Sequence, residues 1–288
     1  MVLVKLQGGL GNQMFQYALG RCLSVKNSCH LKLDLSFFQD HPERRYGLDD
    51  LSITEQIATS HECEKLKTKD SKRLNRMKQR YLGKQQTWIK EQSLAFDPKY
   101  LNIKRAAYLD GYWQSEKYFE SVWQLIRKEF MVSTPPSGPN QKILDGIESE
   151  EAVSLHVRRG DYEQDPIVNE VHGTCSVDYY RQATAFIARK IDRPVFYVFS
   201  DDAAWARTHI DFGFDFRYIS NNSDNAHEDL RLMYTCKHNI IANSTFSWWG
   251  AWLNANPDKI VIAPKKWFND PGLNLQSTTI VPESWIRL

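Results

Sequence analysis

Short apolar runs alternate with helical stretches through the second half of the chain, and no other feature of the sequence constrains the fold as strongly. The runs that predict strands are residues 152–157, 195–200, 239–242, 259–263 and 279–281. The stretches that predict helices between several of them are residues 177–191, 203–209 and 227–236. Strands that alternate with helices are typical of a parallel, doubly wound α/β sheet, whose ligands bind at the carboxyl ends of the strands.

The first half of the chain opens with the same succession of strand, glycine-rich turn and helix. The predicted elements are a strand at 2–6, a helix at 14–22, a strand at 30–35 and a long helix at 115–130. The turn Gly8-Gly9-Leu10-Gly11-Asn12 separates the first strand from the first helix, and Ser115 is the expected N-cap of the long helix. The first half is therefore also expected to be an α/β domain.

The boundary between the two halves is expected at residues 133–140, where Ser, Thr, Pro, Gly and Asn make the most loop-like segment of the chain. A chain of 288 residues is long enough for two compact domains. We therefore predict an N-terminal domain at residues 1–135 and a C-terminal domain at residues 145–288.

Composition and charge exclude several classes of protein. The formal net charge is +2, which gives no reason to expect a nucleic-acid partner. The five cysteines are odd in number and form no CxxC pair, so we expect reduced, mostly buried thiols in a cytoplasmic protein rather than a disulfide framework or a zinc site. The start of the chain does not have the pattern of a signal peptide, and no apolar run is long enough to predict a membrane span.

A basic stretch runs from Lys65 to Lys90. Its simplest interpretation is the solvated face of a helix. The alternative is a surface that contacts anionic lipid head groups or a lipid-linked acceptor, which would place the protein peripherally at the cytoplasmic face of the membrane.

Two adjacent arginines follow the predicted strand 152–157, in the stretch His156-Val157-Arg158-Arg159-Gly160-Asp161-Tyr162. If the strand pleat continues, their side chains point to opposite sides, so that one enters the ligand site while the other pairs with a carboxylate such as Asp161. The planar fork of arginine matches two phosphate oxygens. A purely structural arginine–aspartate turn is the alternative.

Two further polar clusters follow predicted strands of the same sheet. Ser200-Asp201-Asp202 could bind a ribose or a guanine edge, or it could cap the next helix. Asn243-Ser244-Thr245-Phe246-Ser247 opens a helix, where backbone N–H groups and hydroxyls favour a diphosphate. The tryptophans that follow in the same helix, Trp248, Trp249 and Trp252, are expected in the core.

Other chemistries are weakened by particular residues. Met14 stands where a GxGxxG fingerprint would place its last glycine, and the turn lacks the GK[ST] of a P-loop, which counts against an NAD-dependent oxidoreductase and an ATPase. No DxD motif follows a predicted strand, and His227 has no second histidine at helical spacing. We therefore expect no metal and no cofactor. If a diphosphate leaves without a metal, arginine must neutralise its charge.

These clusters together resemble the bacterial α1,2-fucosyltransferases of glycosyltransferase family eleven. The matching stretches are GGLGNQMFQYALG, GYWQSEKYF from Gly111, HVRRGDY from His156, FSDD, HEDLRLM from His227, and IIANSTFSWWGAWL from Ile240. The resemblance implies a GT-B fold, in which two Rossmann-like domains face each other across a cleft. It also implies GDP-fucose as donor, inversion at the anomeric carbon, and no required metal. The C-terminal half would bind the nucleotide, and the N-terminal half would mostly bind the acceptor.

The resemblance places Arg158 on the donor diphosphate, and the general base stays open between Asp161 and His156. The predicted contacts of GDP-fucose are Arg159, Ser200, Asp201, Asn243, Ser244, Thr245, Phe246, Ser247, Gly11, Asn12 and Gln13. The acceptor would be a galactose-terminated oligosaccharide or a lipid-linked glycan in O-antigen or surface glycan synthesis, with its selection in residues 37–103. A fucosyltransferase of another linkage and a non-catalytic carbohydrate-binding protein are the alternatives.

Overall fold

The computed structural model of the protein describes residues 1–54, 56–67, 87–104, 106–160, 163, 165–222 and 225–288. The chain divides into two compact units, Met1–Phe130 and Met131–Leu288. The loop expected as the domain boundary therefore lies just inside the second unit, and a helix already begins in it at Gly138.

The first unit is built on a parallel sheet whose order, among the described strands, is β2-β1-β4-β3. The strands are β1 Val2–Lys5, β2 Leu31–Asp34, β3 Trp88–Lys90 and β4 Ala107–Asp110. The helices are α1 Leu10–Lys26, α2 Phe37–Asp40, α3 Ser60–Lys67 and α4 Trp123–Glu129. The chain first moves from β1 to β2 on one side and later returns to β4 on the other. The switch point of this sheet is therefore between β1 and β4.

The predicted long helix at 115–130 is wrong. Two short 3₁₀ turns, Glu116–Tyr118 and Glu120–Val122, precede the seven-residue helix α4. Tyr118 and Phe119 are both fully buried, whereas consecutive residues of an α-helix point about 100° apart. Burial of both side chains therefore favours the break at Phe119, whose backbone is not helical at φ −134° and ψ 13°. Ser115 makes no side-chain cap.

The second unit is built on a parallel sheet in the order β10-β9-β8-β5-β6-β7. The strands are β5 Ala152–Val157, β6 Val195–Ser200, β7 Asp215–Ile219, β8 His238–Ile240, β9 Val261–Ala263 and β10 Ile286–Arg287. Counted from β5, this is the 3-2-1-4-5-6 order of a Rossmann sheet, with its switch point between β5 and β8. The predicted parallel, doubly wound α/β architecture is confirmed.

Helices cover both faces of the second sheet. They are α5 Gly138–Ser149, α6 Pro166–His172, α7 Val177–Ala188, α8 Ala203–His209, α9 Ala226–Thr235, α10 Thr245–Leu253 and α11 Pro271–Gln276. Residues of β5 alternate between the two faces. Leu155 and Val157 pack in a cluster with α7, and Ala152 packs in a cluster with α5 and α9. This alternation is expected of a strand covered on both sides.

One predicted strand of the second sheet is wrong, and strands β7 and β10 of this sheet and β3 and β4 of the first sheet were not predicted. Residues 279–281 begin in a 3₁₀ turn, Ser277–Thr279, and Ile280 and Val281 are buried without forming a strand. The last strand is β10. Strand β7 was missed because it lies at the sheet edge and carries exposed Asp215 and Arg217. Edge strands commonly carry charge, which breaks the apolar run that identifies a buried strand.

Cys22, Cys29, Cys63, Cys175 and Cys236 are all free thiols, and all but Cys29 are buried. No helix in the described ranges is long and apolar enough to cross a membrane. Most of the basic stretch from Lys65 to Lys90, residues 68–86, lies outside the described part of the chain. Its contact with lipid stays a prediction.

Candidate functional site

The carboxyl ends of β8, β5 and β6 are neighbours in the second sheet, so the three polar clusters predicted from the sequence lie along one edge. The segments that leave these strands begin at Ala242, Arg158 and Asp201. This edge includes the switch point between β5 and β8, where open α/β sheets bind their ligands.

Arg158 is held at this edge by Asp201. The Arg158 guanidinium Nη1 lies 2.7 Å from Asp201 Oδ2, and Asp201 Oδ1 accepts a hydrogen bond of 2.8 Å from the backbone N–H of Arg159. Gly160 makes the approach possible, because a Cβ at that position would lie 2.6 Å from Asp201 Oδ2. The Arg158 side chain keeps 26% of its surface exposed, so a ligand can reach a guanidinium whose direction is already set.

Arg159 has different partners. Its guanidinium stacks 3.9 Å above the ring of Trp205 and lies 3.2 Å from the carboxylate of Glu163. Trp205 stacks in turn on His209, with ring centroids 4.5 Å apart. This stack directs Arg159 toward α8, where it supports the turn that carries Arg158. The predicted partner Asp161 and its neighbour Tyr162 lie outside the described residues.

His156 is buried beside Arg158 at the end of β5. Its exposed fraction is 6%, and its ring meets the edge of Phe246 at a centroid distance of 5.8 Å. Burial, with a smaller contribution from the Arg158 charge, lowers its pKa to about 3, so the imidazole is neutral at physiological pH. Its Nδ1 accepts or donates no hydrogen bond within the ranges that the structure describes.

Asn243 does not point its amide at a ligand. Its Nδ2 donates to the carbonyls of His172, Gly173 and Trp267 at 3.0–3.1 Å, and its Oδ1 lies 3.6 Å from the thiol of Cys175. Asn243 therefore anchors two other segments of the second unit, residues 172–175 and Trp267, beside the start of α10. Its predicted contact with GDP-fucose would have to come from its backbone.

Ser244 is the N-cap of α10, and its hydroxyl makes no cap hydrogen bond. Ser247 Oγ donates to the carbonyl of Ser244 at 3.3 Å, so this hydroxyl is directed back along the helix. The first backbone N–H groups of a helix have no carbonyl one turn earlier to bond. The Ser244 hydroxyl and the first turn of α10, with half-buried Thr245 and Phe246, therefore form a donor-rich helix start at the switch point.

In the second cluster the structure shows the predicted helix cap, and it adds a contact to the arginine segment that the sequence did not predict. Asp202 caps α8 by accepting the N–H of Trp205 at 3.0 Å, whereas Asp201 binds the arginine segment. Ser200 Oγ accepts the N–H of Asp202 at 3.0 Å. Ser200 therefore stabilises the turn after β6. Its contact with GDP-fucose stays a prediction.

A buried carboxylate lies on α9, in the stretch HEDLRLM that the sequence analysis named as part of the family resemblance. Glu228 is 5% exposed, and its Oε2 lies 3.5 Å from Arg231 Nε without a hydrogen-bond partner among the described residues. A Cβ at Gly250 of α10 would lie 2.8 Å from Met233 Cβ of α9, and both helices run from the carboxyl edge to the amino edge. Glu228 is five residues before Met233 in α9, and Thr245 is five residues before Gly250 in α10. The Glu228 carboxylate therefore lies level with the start of α10.

The glycine turn of the first unit is anchored by side chains of α1. Gly8 adopts φ 76°, a conformation that favours glycine, and a Cβ there would lie 2.7 Å from Asn12 Nδ2. Gln13 is fully buried. Its amide donates to the carbonyls of Gly8 and Arg45 at 3.0 and 2.8 Å. Gln13 is therefore a structural anchor, and Gly11 is buried in the same first turn.

The segment that leaves β4 lies beside this turn, because β4 and β1 are neighbours. Gln114 Nε2 donates to Asn12 Oδ1 at 3.0 Å. Trp113 adopts φ 49°, and Glu91 accepts its N–H at 2.9 Å. The sequence had marked this segment only as part of the family resemblance, since its unusual features depend on burial.

No group of three or more His, Cys, Asp or Glu side chains within the described ranges is placed to hold a metal ion. Metal independence of the reaction stays a prediction.

Comparison with known proteins gives the family and the fold. The sequence model of glycosyl transferase family 11 matches residues 1–288. The α-1,2-colitosyltransferase of Escherichia coli is 33% identical over 100% of this chain and 99% of its own length. The O-antigen biosynthesis glycosyltransferase WbnK of Escherichia coli is 34% identical over 98% of this chain and 99% of its own.

A more distant relative and a solved structure extend the comparison. Galactoside α-(1,2)-fucosyltransferase 1 of Bos taurus is 30% identical over 54% of this chain and 45% of its own length. The structure of an Arabidopsis thaliana FUT1 mutant in complex with GDP superposes with a TM-score of 0.53 at 11% identity, over 90% of this chain and 69% of the other. This likeness supports the fold, and the predicted GT-B class, with parallel sheets in two α/β domains, is confirmed. The predicted cleft between the domains stays a prediction.

Proposed function

The chain belongs to glycosyl transferase family 11 and is a glycosyltransferase, and we propose that it transfers L-fucose from GDP-fucose to the 2-hydroxyl of a β-galactoside with inversion. The product would carry an α1,2 linkage. The names of its relatives, which include an O-antigen glycosyltransferase and a galactoside α-(1,2)-fucosyltransferase, support this reaction and a role in O-antigen or surface glycan synthesis.

The observation that carries the proposal is the fixed guanidinium of Arg158 at the switch point of the second sheet. In the reaction the galactose O2 attacks the anomeric carbon of fucose, and the bond from that carbon to the β-phosphate oxygen breaks. Negative charge grows on the departing oxygen. Arg158, held by Asp201, and the helix start at Ser244 are donors already in place for that charge. Loss of one such donor commonly costs about 10²–10³ in rate.

The proton of the attacking hydroxyl needs an acceptor or must pass to solvent. His156 is a weak base, because burial lowers its pKa to about 3, and its ring is enclosed beside Phe246. This environment suits a neutral residue that positions the Arg158 turn. It supports Asp161, which lies outside the described residues, as the better candidate for the base.

A second donor is favoured by one of the comparisons. The relative that matches the whole chain at 33% identity is named for colitose, which is fucose without its 3-hydroxyl. A site that hydrogen-bonds a hydroxyl rejects the analogue lacking it by about 10⁴–10⁵-fold. A site built for the deoxy sugar would discriminate much less. Comparing kcat/KM for GDP-fucose and GDP-colitose therefore separates the two donors.

The test of the proposal is incubation with GDP-fucose and a panel of β-galactosides in the presence of EDTA, followed by NMR of the product. A new α1,2-fucosyl signal is the expected result, and it reports donor, linkage and metal independence together. Another linkage would contradict the α1,2 assignment. Binding of GDP without any turnover across the panel would favour the non-catalytic alternative, and no binding of GDP-fucose would overturn the donor.

A further inference from the structure

The outer edge of the second sheet is formed by β7. Its inner side pairs in parallel with β6 along the whole strand, and no strand in the described part of the chain pairs with its outer side. The backbone N–H and C=O groups on that outer side therefore have no ladder partner. Such a row of groups is a template on which a strand of another chain can pair.

The hydrogen bonds of the sheet show which peptide groups of β7 point outward. In β6 the N–H of Val195 donates to the carbonyl of Glu151, just before β5, at 3.0 Å. Peptide groups alternate in direction along a strand, so the next residue, Phe196, directs its own groups toward β7. Phe196 is paired with Phe216, and in a parallel pair it bonds the residues on either side of that partner. Phe216 therefore directs its N–H and C=O to the outer edge.

One face of β7 carries an acid and a base on the two sides of Phe216. Asp215 and Arg217 keep 57% and 42% of their side-chain surface exposed, and their charged groups lie 3.7 Å apart. Arg217 also lies 2.7 Å from Glu150. Edge strands that avoid pairing commonly carry lysines, so that two copies repel each other. Opposite charges two residues apart attract an antiparallel copy instead, because each residue then faces the opposite sign.

The other face of β7 carries aromatic rings. The ring of Phe216 stacks with that of Tyr218 at a centroid distance of 6.5 Å and lies 6.4 Å from that of Phe214. All three side chains are half-buried against the core of the second unit. In an antiparallel copy centred on Phe216, this residue faces its own counterpart and Phe214 faces Tyr218. Aromatic pairs across neighbouring strands stabilise a sheet, so this face is self-complementary as well.

We propose that β7 pairs with β7 of a second copy of this chain, in an antiparallel, two-fold arrangement centred on Phe216. Phe216 then exchanges two backbone hydrogen bonds with its counterpart, and Asp215 faces Arg217 of the second copy twice. A register centred on Arg217 would use the whole strand but would oppose two arginines, so charge selects the first register. The contact closes on itself, and the assembly stops at a dimer. This inference depends on neither the donor nor the acceptor of the proposed reaction.

Sedimentation velocity of the full chain, from about 1 to about 100 µM, measures the assembly. We expect wild type to pass from monomer to dimer over this range. Asp215→Arg places like charges opposite each other at both contacts, and so does Arg217→Asp. Each variant alone should raise the dimer dissociation constant at least about tenfold. An equimolar mixture of the two should dimerise again, because each variant supplies the charge that the other lacks.

Asp192→Arg is the matched control. It makes the same change of charge at an aspartate that is 88% exposed and lies before β6, away from the open edge of β7. Its dimer dissociation constant should equal that of wild type. Thermal melting establishes that each variant is folded. If Arg217→Asp does not fold without its contact to Glu150, Asp215→Arg alone decides whether the edge is used.

Three results would overturn the inference. The first is a wild-type chain that stays monomeric over the whole range. The second is a dimer whose dissociation constant is unchanged in folded Asp215→Arg, because the copies would then meet at another surface. The third is a mixture of folded Asp215→Arg and Arg217→Asp that stays monomeric, because the charges would then not face each other in this register.

Discussion

The two units present the same geometry at their switch points and opposite chemistry. The carboxyl edge of the second sheet carries Arg158, Asp201 and the buried carboxylate of Glu228. The edge of the first sheet is formed by uncharged segments around Gly9 and Gln114. Parallel sheets place ligands at these edges whatever the side chains are, so the chemistry of each edge selects its ligand. A guanidinium beside the start of a helix suits a diphosphate, and a neutral edge suits a sugar.

The largest effect is expected at Arg158. Arg158→Ala should lower kcat/KM by about 10³ or more while the protein stays folded, because we propose that Arg158 donates to the leaving oxygen. Arg158→Lys should retain part of the activity, since it keeps the charge but loses the planar fork. Arg181→Ala, which removes an exposed arginine of α7, is the control. A folded, fully active Arg158→Ala would eliminate this role.

Gly160→Ala should have the next largest effect. Its Cβ would lie 2.6 Å from Asp201 Oδ2, so the pair of Asp201 and Arg158 must separate or shift. We expect a loss of about 10² in kcat/KM, because a misplacement of about 1 Å at a reacting group can cost this much. Steady-state kinetics and a thermal melt of the variant measure it. Activity equal to wild type would show that the Asp201 contact does not set the direction of Arg158.

Gln114→Met tests the neutral edge with a smaller change. The substitution keeps the length of the side chain and removes its hydrogen-bonding groups. We expect the acceptor KM to rise about tenfold, which corresponds to one lost hydrogen bond of the stronger kind, while GDP affinity is retained. Initial rates at varied acceptor concentration give the KM. If GDP affinity falls instead, Gln114 serves the donor and not the acceptor.

The smallest effect concerns stability at the charged edge. Burial raises the pKa of Asp229 to about 7, although Asn222 Nδ2 donates to its Oδ1 at 2.8 Å. The folded state therefore holds a proton that the unfolded state has lost between about pH 4 and pH 7, so this group lowers stability as pH rises through that window. The free energy of unfolding of Asp229→Asn minus that of wild type should therefore be larger at about pH 8 than at about pH 4. We expect this increase to be on the order of 1–3 kcal/mol. Chemical denaturation at both pH values measures this difference, and a constant gap would contradict it.

Local pattern predicted the parts of the fold that are buried from both sides. Strands β5 and β6 have the predicted bounds, because continuous burial gives a continuous apolar run. Helix α8 also has the predicted bounds, although Ala206 is its one buried residue. Strand β7 and the segment after Ser115 were mispredicted, since an edge position and the joint burial of Tyr118 and Phe119 depend on the tertiary structure. Propensity and periodicity carry no information on such contacts.

The candidate site shows the same limit. The placement of Arg158 and Asp201 followed from their positions at strand ends. Asn243 and Gln13 stay predicted ligand contacts, and the sequence did not predict that their amides bond the carbonyls of Trp267 and Arg45. The unpartnered oxygen of Gln114 could not be found from sequence, because it is defined by what surrounds it.

Calorimetric titration of GDP into wild type, Gly160→Ala and Gly9→Val tests most directly whether the charged edge alone holds the donor. The account predicts that GDP binds wild type and Gly9→Val with equal affinity and binds Gly160→Ala at least about tenfold more weakly. Equal affinity for all three proteins, or a loss confined to Gly9→Val, would contradict it.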